Sequence, residues 1–301
     1  MKLKYWIHAA RLHTLPLSFS GITLSYLISK SRVSVNLHTY ILCVITALLL
    51  QILANFSNDY GDSITGVDNF KRIGPKRTIQ CGFLSLLDMK KAIYLFSVLS
   101  FLSGFLLLYQ SILYKNIFVF LFYFIGIFVC IYGSIKYSIG SSPYGYVVGM
   151  GDLFVFIFFG LFSVEGSYFL YTNALHMDMF LLSSSMGLLN VAVLNINNMR
   201  DIDNDYENGK YTMAVWLGIK RAKLYHVISL FISVLLGIFF ILLNQKTIFQ
   251  CIFFILVVIF LIFHVKRILF LKKNNLFNLE LKRLILIVFL YGLSIGISNF
   301  L

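Results

Sequence analysis

The chain has 301 residues, of which 59% are hydrophobic and 12% are charged, and its formal net charge is +13. Soluble globular proteins carry about 25% charged residues, so this composition excludes a water-soluble protein. In a membrane protein, basic residues first determine how the spans are oriented, and we therefore expect no nucleic-acid partner.

Nine apolar runs are candidates for transmembrane helices, each of which needs about 20 residues to cross the hydrocarbon core. The predicted spans are 12–29, 37–57, 92–110, 117–135, 146–171, 178–199, 222–243, 248–265 and 284–300. The first is the weakest, because Pro16 and several hydroxyl side chains interrupt it. The pattern predicts an all-α integral membrane bundle, forming a single domain over residues 1–301 around a central cavity that opens laterally to lipid.

The lysine and arginine residues are distributed unevenly between the predicted connections. The N-terminus and the connections that follow even-numbered spans carry 21 of the 25 basic residues. Because positively charged connections stay in the cytoplasm, this distribution predicts a cytoplasmic N-terminus. Nine spans then place the C-terminus outside.

Acidic residues are concentrated in two short windows, residues 54–82 and 194–218, which contain seven of the twelve acids. Each window has asparagines on the last turns of an apolar helix, then spaced acids, then basic residues and a glycine. We interpret the two windows as an internal pseudo-repeat that forms a cytoplasmic cap over the cavity.

Helical periodicity gives each window a polar stripe. The stripes are Asn55, Asp59 and Asp62 in the first window and Asn197, Asp201 and Asp205 in the second. Like charges on one helix face repel each other, so a cation is expected between the stripes. Oxygen ligands favour Mg²⁺, which proteins hold through one or two carboxylates together with waters and substrate phosphates.

Basic residues follow the acids in both windows, which suits a diphosphate held between metal and cations. The candidates are Lys71, Arg72, Lys76 and Arg77 in the first window and Lys210 in the second. An isoprenoid diphosphate has a polar head for these loops and an apolar tail for the bilayer. The residues therefore predict prenyl transfer, with metal and cations stabilising the departing diphosphate.

Both windows resemble the two Asp-rich motifs of the UbiA superfamily of intramembrane prenyltransferases, and within it the MenA group. The sequences are NDYGDSITGVDNFKRIGPKR from Asn58 and NNMRDIDNDYENGKYT from Asn197. The resemblance implies metal and diphosphate roles, with Asp59, Asp62, Asp201 and Asp205 as catalytic acids. It implies metal binding by Asn55, Asn58, Asp59, Asp62, Asp68, Asn197, Asp201 and Asp205, and diphosphate binding by Lys71, Arg72, Arg77, Lys136 and Lys210.

Further stretches are similar to the same group. RLHTLP begins at Arg11, Tyr132 precedes Lys136 by four residues, and Asp152 lies in a GYVVGMGDLFVFIFFG segment. The resemblance makes Arg11, Tyr132 and Asp152 candidates for binding the aromatic substrate. Val147 stands where the group usually has arginine, so a basic contact to substrate is missing there or is supplied from elsewhere.

The resemblance implies magnesium-dependent transfer of a polyprenyl group to 1,4-dihydroxy-2-naphthoate, with loss of carbon dioxide, in menaquinone biosynthesis. The expected location is the bacterial cytoplasmic membrane, with no obligate protein partner. The alternatives are a sister enzyme that acts on 4-hydroxybenzoate or another phenol, a cation transporter, and a catalytically silent quinone-binding protein. The sequence does not determine the prenyl chain length or the oligomeric state.

Overall fold

The computed structural model describes residues 3–70, 72–112, 116–244, 251–271 and 276–300, and in this part of the chain all regular structure is helical. The helices are α1 Leu3–Ala10, α2 Leu15–Arg32, α3 Leu37–Ile64, α4 Leu86–Ser111, α5 Ile117–Lys136, α6 Met150–Thr172, α7 Met177–Arg200, α8 Ile202–Glu207, α9 Met213–Asn244, α10 Ile252–Phe270 and α11 Phe277–Phe300. Helices satisfy their own backbone hydrogen bonds, which an apolar membrane interior requires. The predicted all-α bundle is confirmed.

Eight of these helices are long and apolar enough to cross a membrane, namely α3 to α7 and α9 to α11. They coincide with the predicted spans 2 to 9. The first predicted span corresponds to α2, an 18-residue helix in which Pro16 lies at the first turn and several serines are buried. The total of nine spans therefore stays a prediction.

Asparagine and serine side chains begin three of the long helices. The Asn36 side chain accepts a hydrogen bond from the His38 amide at the start of α3, and Ser85 does the same for Asp88 at α4. Asn116 accepts from two amides at the start of α5. These caps satisfy backbone donors that the first helical turn leaves unpaired, so the helix starts are encoded locally.

Two groups of helices enclose the interior. Helices α3, α4 and α5 pack against one another, as do α7, α9 and α11, and α10 packs against α9 and α11, while α2 contacts α3, α6 and α11. The α6 and α7 backbones approach closely, because a Cβ atom on Gly160 would lie 2.5 Å from the Ser183 carbonyl oxygen. Small residues at such crossings are typical of membrane helix packing.

Wide π-helical turns form the middle of α6, from Ile157 to Gly166. Such turns occur frequently at functional sites, since the extra residue per turn re-aims the neighbouring side chains. In α6 they lie on the helix that contacts both α2 and α7. This segment contributes to the wall of the central cavity.

A buried polar chain joins the last three helices. His226 of α9 and His264 of α10 lie 3.1 Å apart between ring Nε2 atoms, and His264 Nδ1 is 2.8 Å from Glu280 of α11. The Glu280 carboxylate also pairs with Arg267 at 2.9 Å. These contacts tie α9, α10 and α11 together, although His226 Nδ1 is buried without a hydrogen-bond partner among the described residues.

Candidate active site

The first acidic stripe lies on one uninterrupted helix. Helix α3 continues to Ile64, beyond the predicted end of the span at residue 57. Asn55, Asp59 and Asp62 are therefore on the same side of its last turns, and all three are buried. This end of α3 approaches the chain that follows α5, because a Cβ atom on Gly61 would collide with the Ser138 carbonyl oxygen.

Two arginines bind the middle of this stripe. Arg11 forms an ion pair with Asp59 and donates a hydrogen bond of 2.7 Å to the Asn58 side-chain oxygen. The backbone of Arg11 is left-handed, with φ 50°, which is uncommon for a residue other than glycine and turns the chain between α1 and α2. Arg77 lies 3.4 Å from Asp59 through Nε.

The chain after α3 folds back over the stripe. The Asp68 amide donates to the Asp62 carbonyl oxygen at 3.1 Å, and the buried Asp68 carboxylate lies 3.1 Å from Arg72 Nε and 3.7 Å from Arg77 Nε. Burial raises the pKa of Asp68 to about 6, although Arg77 and Arg72 act in the opposite direction. Lys71, a predicted diphosphate ligand, lies outside the described residues.

The second stripe crosses a break in the helix. Helix α7 ends at Arg200, and the short helix α8 begins after Asp201. The Arg200 guanidinium pairs with the Asp201 carboxylate and also donates to the Asn197 side-chain oxygen at 2.7 Å. Burial alone would raise the pKa of Asp201, but hydrogen bonds from Arg200 outweigh it and lower the pKa.

Asp205 and Lys210 close the second loop. Gly209 adopts φ 71°, and the Lys210 amide donates to the Asp205 carbonyl oxygen at 2.8 Å. Burial raises the pKa of Asp205 to about 7, despite the charge of Lys210. Burial by itself would lower the pKa of Lys210, but Asp62 and Asp205 outweigh it, so the pKa is raised and the amine stays charged.

The two loops meet, as the sequence predicted. Lys210 Nζ lies 3.7 Å from Asp62, and Arg72 lies 3.7 Å from Asp201, so each loop supplies a cation to the other loop's acid. The Asn204 amide also donates to the Val67 carbonyl oxygen at 2.9 Å. Residues about 140 positions apart in the sequence therefore form a single polar cluster at the adjoining ends of α3 and α7.

The donor set of this cluster suits a hard cation. Among the described residues, no three His, Cys, Asp or Glu side chains are close enough to hold a metal ion by themselves. However, both carboxylate oxygens of Asp68 are buried and accept no hydrogen bond from the described residues, although Arg72 and Arg77 lie within ion-pair distance of one of them. Since Mg²⁺ is usually held by one or two carboxylates plus phosphates and waters, a cluster of carboxylate and amide oxygens fits it.

A cavity of about 820 Å³ leads away from the cluster. Its polar end is lined by Arg11, Asn55, Asn58 and Asn197, and most of its wall is apolar or aromatic. The wall continues past the π-helical segment of α6 to Leu175, at the opposite end of α6. Exposed side chains of α5 and α6, such as Phe122 and Phe162, belong to the wall, so the cavity is open toward lipid between these helices.

Three predicted residues lie away from the cavity. Tyr132 is 65% exposed on the outer face of α5, and Lys136 ends that helix next to Gly140. Asp152 accepts a hydrogen bond from Tyr225 at 3.1 Å. None of the three forms part of the cavity wall within the described chain, whereas Arg11 does. Val147 is exposed, and Arg11 supplies a basic group at the polar end of the cavity.

Sequence reasoning missed two residues of the cluster. Arg200 has no predicted site role, although it directly precedes Asp201 in the motif. Tyr146 donates a hydrogen bond of 2.8 Å to Asp62 and lies under the Lys210 amine, 5.1 Å from its ring centre. No local pattern marks Tyr146, because its contacts depend on packing between distant segments.

Comparison with proteins of known sequence identifies the relatives of this chain. It is 43% identical over 239 residues to the 1,4-dihydroxy-2-naphthoate octaprenyltransferase of Haemophilus influenzae, covering 78% of this chain and 76% of that protein. It is 41% identical over 221 residues to the Escherichia coli enzyme with the same name, covering 73% and 71%.

Solved structures share the fold. A UbiA homologue from Archaeoglobus fulgidus bound to GPP and Mg²⁺ aligns with a TM-score of 0.67 at 14% identity, covering 98% of this chain and 99% of that one. A UbiA homologue from Aeropyrum pernix aligns with a TM-score of 0.66 at 17% identity, covering 97% and 96%. The sequence model of the UbiA prenyltransferase family matches residues 18–283. Because that match covers most of the sequence, the chain belongs to the UbiA prenyltransferase family.

Proposed function

We propose that this protein transfers a polyprenyl group from polyprenyl diphosphate to 1,4-dihydroxy-2-naphthoate, with loss of carbon dioxide, to give demethylmenaquinone in its reduced quinol form in menaquinone biosynthesis. Relatives at 41% and 43% identity carry the name of this activity. The observation that carries the proposal is the joined acidic cluster at the mouth of a long apolar cavity. A diphosphate head and an isoprenoid tail require these two environments side by side.

The cluster would hold Mg²⁺ and the diphosphate head together. The proposed metal-binding residues are Asn55, Asn58, Asp59, Asp62, Asp68, Asn197, Asp201 and Asp205, of which Asp59, Asp62, Asp201 and Asp205 are the catalytic acids. When bound, Mg²⁺ would neutralise charge that develops on the leaving diphosphate. The proposed diphosphate-binding cations are Lys71, Arg72, Arg77, Lys136 and Lys210.

The cations of the cluster are already positioned for a polyanion. Arg72 and Arg77 each lie within ion-pair distance of two carboxylates, and Lys210 Nζ lies 3.7 Å from Asp62. A diphosphate that binds with its metal would replace those carboxylates as the partner of the cations. Exchanging one anion for another keeps the buried cations paired, so binding avoids the cost of an isolated charge.

The reaction breaks the bond between prenyl C1 and the bridging oxygen, and diphosphate departs with the electron pair. The naphthoate ring supplies the electron pair of the new carbon–carbon bond. Loss of the carboxylate as carbon dioxide returns an electron pair to the ring and restores its aromaticity. The apolar cavity favours this sequence because it excludes water, which would otherwise capture the prenyl cation.

The proposed reaction also predicts where the protein lies in the cell. Eight long apolar helices in the described part of the chain make it a multi-pass membrane protein. We propose the bacterial cytoplasmic membrane, with the N-terminus and the acidic loops on the cytoplasmic side and the C-terminus outside. Both substrates then reach the cavity without crossing the bilayer, since the prenyl tail enters from the lipid.

Membranes containing the protein provide the decisive assay. Incubated with polyprenyl diphosphates of graded length and 1,4-dihydroxy-2-naphthoate, they should form prenylated product and carbon dioxide only when Mg²⁺ is present. Asp59→Ala and Asp201→Ala should each abolish turnover, while Asp203→Ala, an exposed acid in the same loop, should retain it. Full activity of both buried-acid variants, or a preference for 4-hydroxybenzoate over the naphthoate, would contradict the proposal.

A further inference from the structure

Asn190 lies in the middle of α7, on the helix face that lines the cavity. Asn190, Val193, Leu194 and Asn197 all belong to the cavity wall, and their spacing of three, four and seven residues is that of one helix face. Asn197 belongs to the metal and diphosphate cluster. At a rise of about 1.5 Å per residue, Asn190 is about 10 Å deeper along α7, in the apolar part of the cavity.

Of the two polar groups in the Asn190 side chain, only the amide nitrogen has a hydrogen-bond partner among the described residues. Its amide nitrogen donates to the Met186 carbonyl oxygen at 2.8 Å, and the side chain is only 3% exposed. The Met186 carbonyl oxygen can only accept a hydrogen bond, so the side-chain nitrogen of Asn190, and not its oxygen, must face Met186. The side-chain carbonyl oxygen of Asn190 is buried and has no hydrogen-bond partner in the part of the chain that the structure describes.

An unpartnered buried carbonyl is unfavourable in an apolar wall, where a leucine side chain with the same branching would not carry that cost. The group can only accept a hydrogen bond. Of the two proposed substrates, the polyprenyl tail has no donor, and an ionised diphosphate offers only acceptors. The naphthoate has two hydroxyl groups, one of which can donate internally to the neighbouring carboxylate. The 4-hydroxyl group is then the donor left free.

We infer that the Asn190 side-chain oxygen accepts a hydrogen bond from the 4-hydroxyl group of the aromatic acceptor and thereby determines which acceptor is used. The inference rests on the proposed function, because it takes the naphthoate as the substrate. Asn190 is then a specificity-determining residue, separate from the acids and cations that bind metal and diphosphate. It holds the ring at a depth where the prenyl C1 atom can be reached from the cluster.

The test compares the Michaelis constants of the two substrates in Asn190→Leu, which keeps the number and branching of the side-chain heavy atoms but cannot accept a hydrogen bond. The KM for 1,4-dihydroxy-2-naphthoate should rise about three- to tenfold, as expected for one neutral hydrogen bond. The KM for polyprenyl diphosphate should change less than about twofold. The control is Asn195→Leu, on the same helix, whose side-chain oxygen is also unpartnered but which lies outside the cavity wall.

Analogues of the aromatic acceptor distinguish a lost hydrogen bond to the 4-hydroxyl group from a change in packing around Asn190. Inhibition by 1-hydroxy-2-naphthoate, which lacks the 4-hydroxyl group, should be equally strong in the wild type and in Asn190→Leu. The inference is overturned if the variant weakens this inhibitor as much as it weakens the dihydroxy substrate, because the side chain then acts only through packing. It is also overturned if Asn190→Leu leaves the naphthoate KM unchanged, or raises the KM of the diphosphate equally.

Two further measurements keep the outcome decisive. If Asn190→Leu does not accumulate in membranes, the wild type alone is tested with the 4-methoxy analogue of the substrate. This analogue should bind as weakly as 1-hydroxy-2-naphthoate, because it has no 4-hydroxyl hydrogen to donate. Binding as tight as that of the substrate would overturn the inference. A wild type that does not turn over the dihydroxynaphthoate would overturn the proposed function as well. Turnover by the wild type with an unaffected Asn190→Leu overturns this inference alone.

Discussion

Burial and pairing give the acids of the two loops different proton affinities. Burial raises the pKa of Asp205 to about 7 and that of Asp68 to about 6, while pairing with Arg200 outweighs burial and lowers the pKa of Asp201. A protonated carboxyl group is a poor metal ligand. Protons and Mg²⁺ therefore compete for Asp205 and Asp68 close to physiological pH.

This competition predicts how the Mg²⁺ requirement changes with pH. A raised pKa means that Asp205 gains a proton as the pH falls below about 7, and Asp68 as it falls below about 6. The Mg²⁺ concentration for half-maximal activity should rise as the pH is lowered from 8 to 6, by up to about tenfold per pH unit for each carboxylate. A Mg²⁺ requirement that is constant from pH 8 to 6, measured at saturating substrate, would contradict the assignment of Asp68 and Asp205 as metal ligands.

Arg200 gives a second prediction at this scale. Its buried guanidinium positions both Asp201 and Asn197. Arg200→Lys should lower kcat/KM at least about tenfold and raise the Mg²⁺ requirement, because lysine cannot replace the forked contact. Arg221→Lys, an exposed arginine on α9, is the control and should behave like the wild type. Equal activity of the two variants would show that Arg200 has no positioning role.

At the scale of the elements, the site depends on where helices end and how closely they approach. Helix α3 carries the first stripe to its last turns, and the close contact between Gly61 and the Ser138 carbonyl places that end beside the chain after α5. Helix α7 instead breaks at Asp201, which lets Arg200 fold onto both Asp201 and Asn197. The two acidic loops therefore carry their acids on different backbone conformations.

The contact at Gly61 can be tested with a matched pair of glycines. Gly61→Ala should destabilise the protein by about 1–3 kcal/mol, because the added methyl group meets backbone that cannot rotate away. Gly126→Ala in α5 adds the same methyl group with no neighbour within 4 Å. It should be neutral or stabilise α5 by up to about 1 kcal/mol. Thermal unfolding in detergent measures both, and equal unfolding temperatures would refute the packing argument.

In the complete bundle, the cavity connects the charged cluster at the ends of the helices with the lipid bilayer. The charged cluster lies at one end of the helices, and the cavity wall runs to Leu175 at the other. The distribution of lysine and arginine predicts that the charged end faces the cytoplasm. That orientation stays a prediction, since the packing of the helices is the same whichever way the bundle is inserted.

The natural cysteines allow the orientation to be measured. Cys81 is exposed in the first acidic loop, while Cys43 is buried and Cys130 and Cys251 are partly buried in or beside long helices. A membrane-impermeant maleimide should label Cys81 in inverted membrane vesicles but not in intact cells. Cys81→Ser should remove that labelling. Labelling of Cys81 from outside intact cells would place the acidic loops on the wrong side of the membrane for the proposed reaction.

The class of the molecule follows from local sequence patterns, which also mark the two loops of the candidate site. Apolar run length decides whether a segment can span a bilayer, and charge clustering marks the two loops, so both could be read from neighbouring residues. The long spans and the meeting of the loops were predicted in this way, and the structure confirms them. The metal and diphosphate roles of the residues stay predictions.

Which side chains line the cavity depends on the packing of the whole bundle. Arg11 and Tyr146 contact the acidic loops, whereas Tyr132, Lys136 and Asp152 lie outside the cavity wall. The side-chain oxygen of Asn190 has no hydrogen-bond partner among the described residues. None of this can be read locally, because it depends on contacts between segments far apart in the chain. Local periodicity gives the face of a helix, but the neighbour of that face is set by how the whole bundle packs.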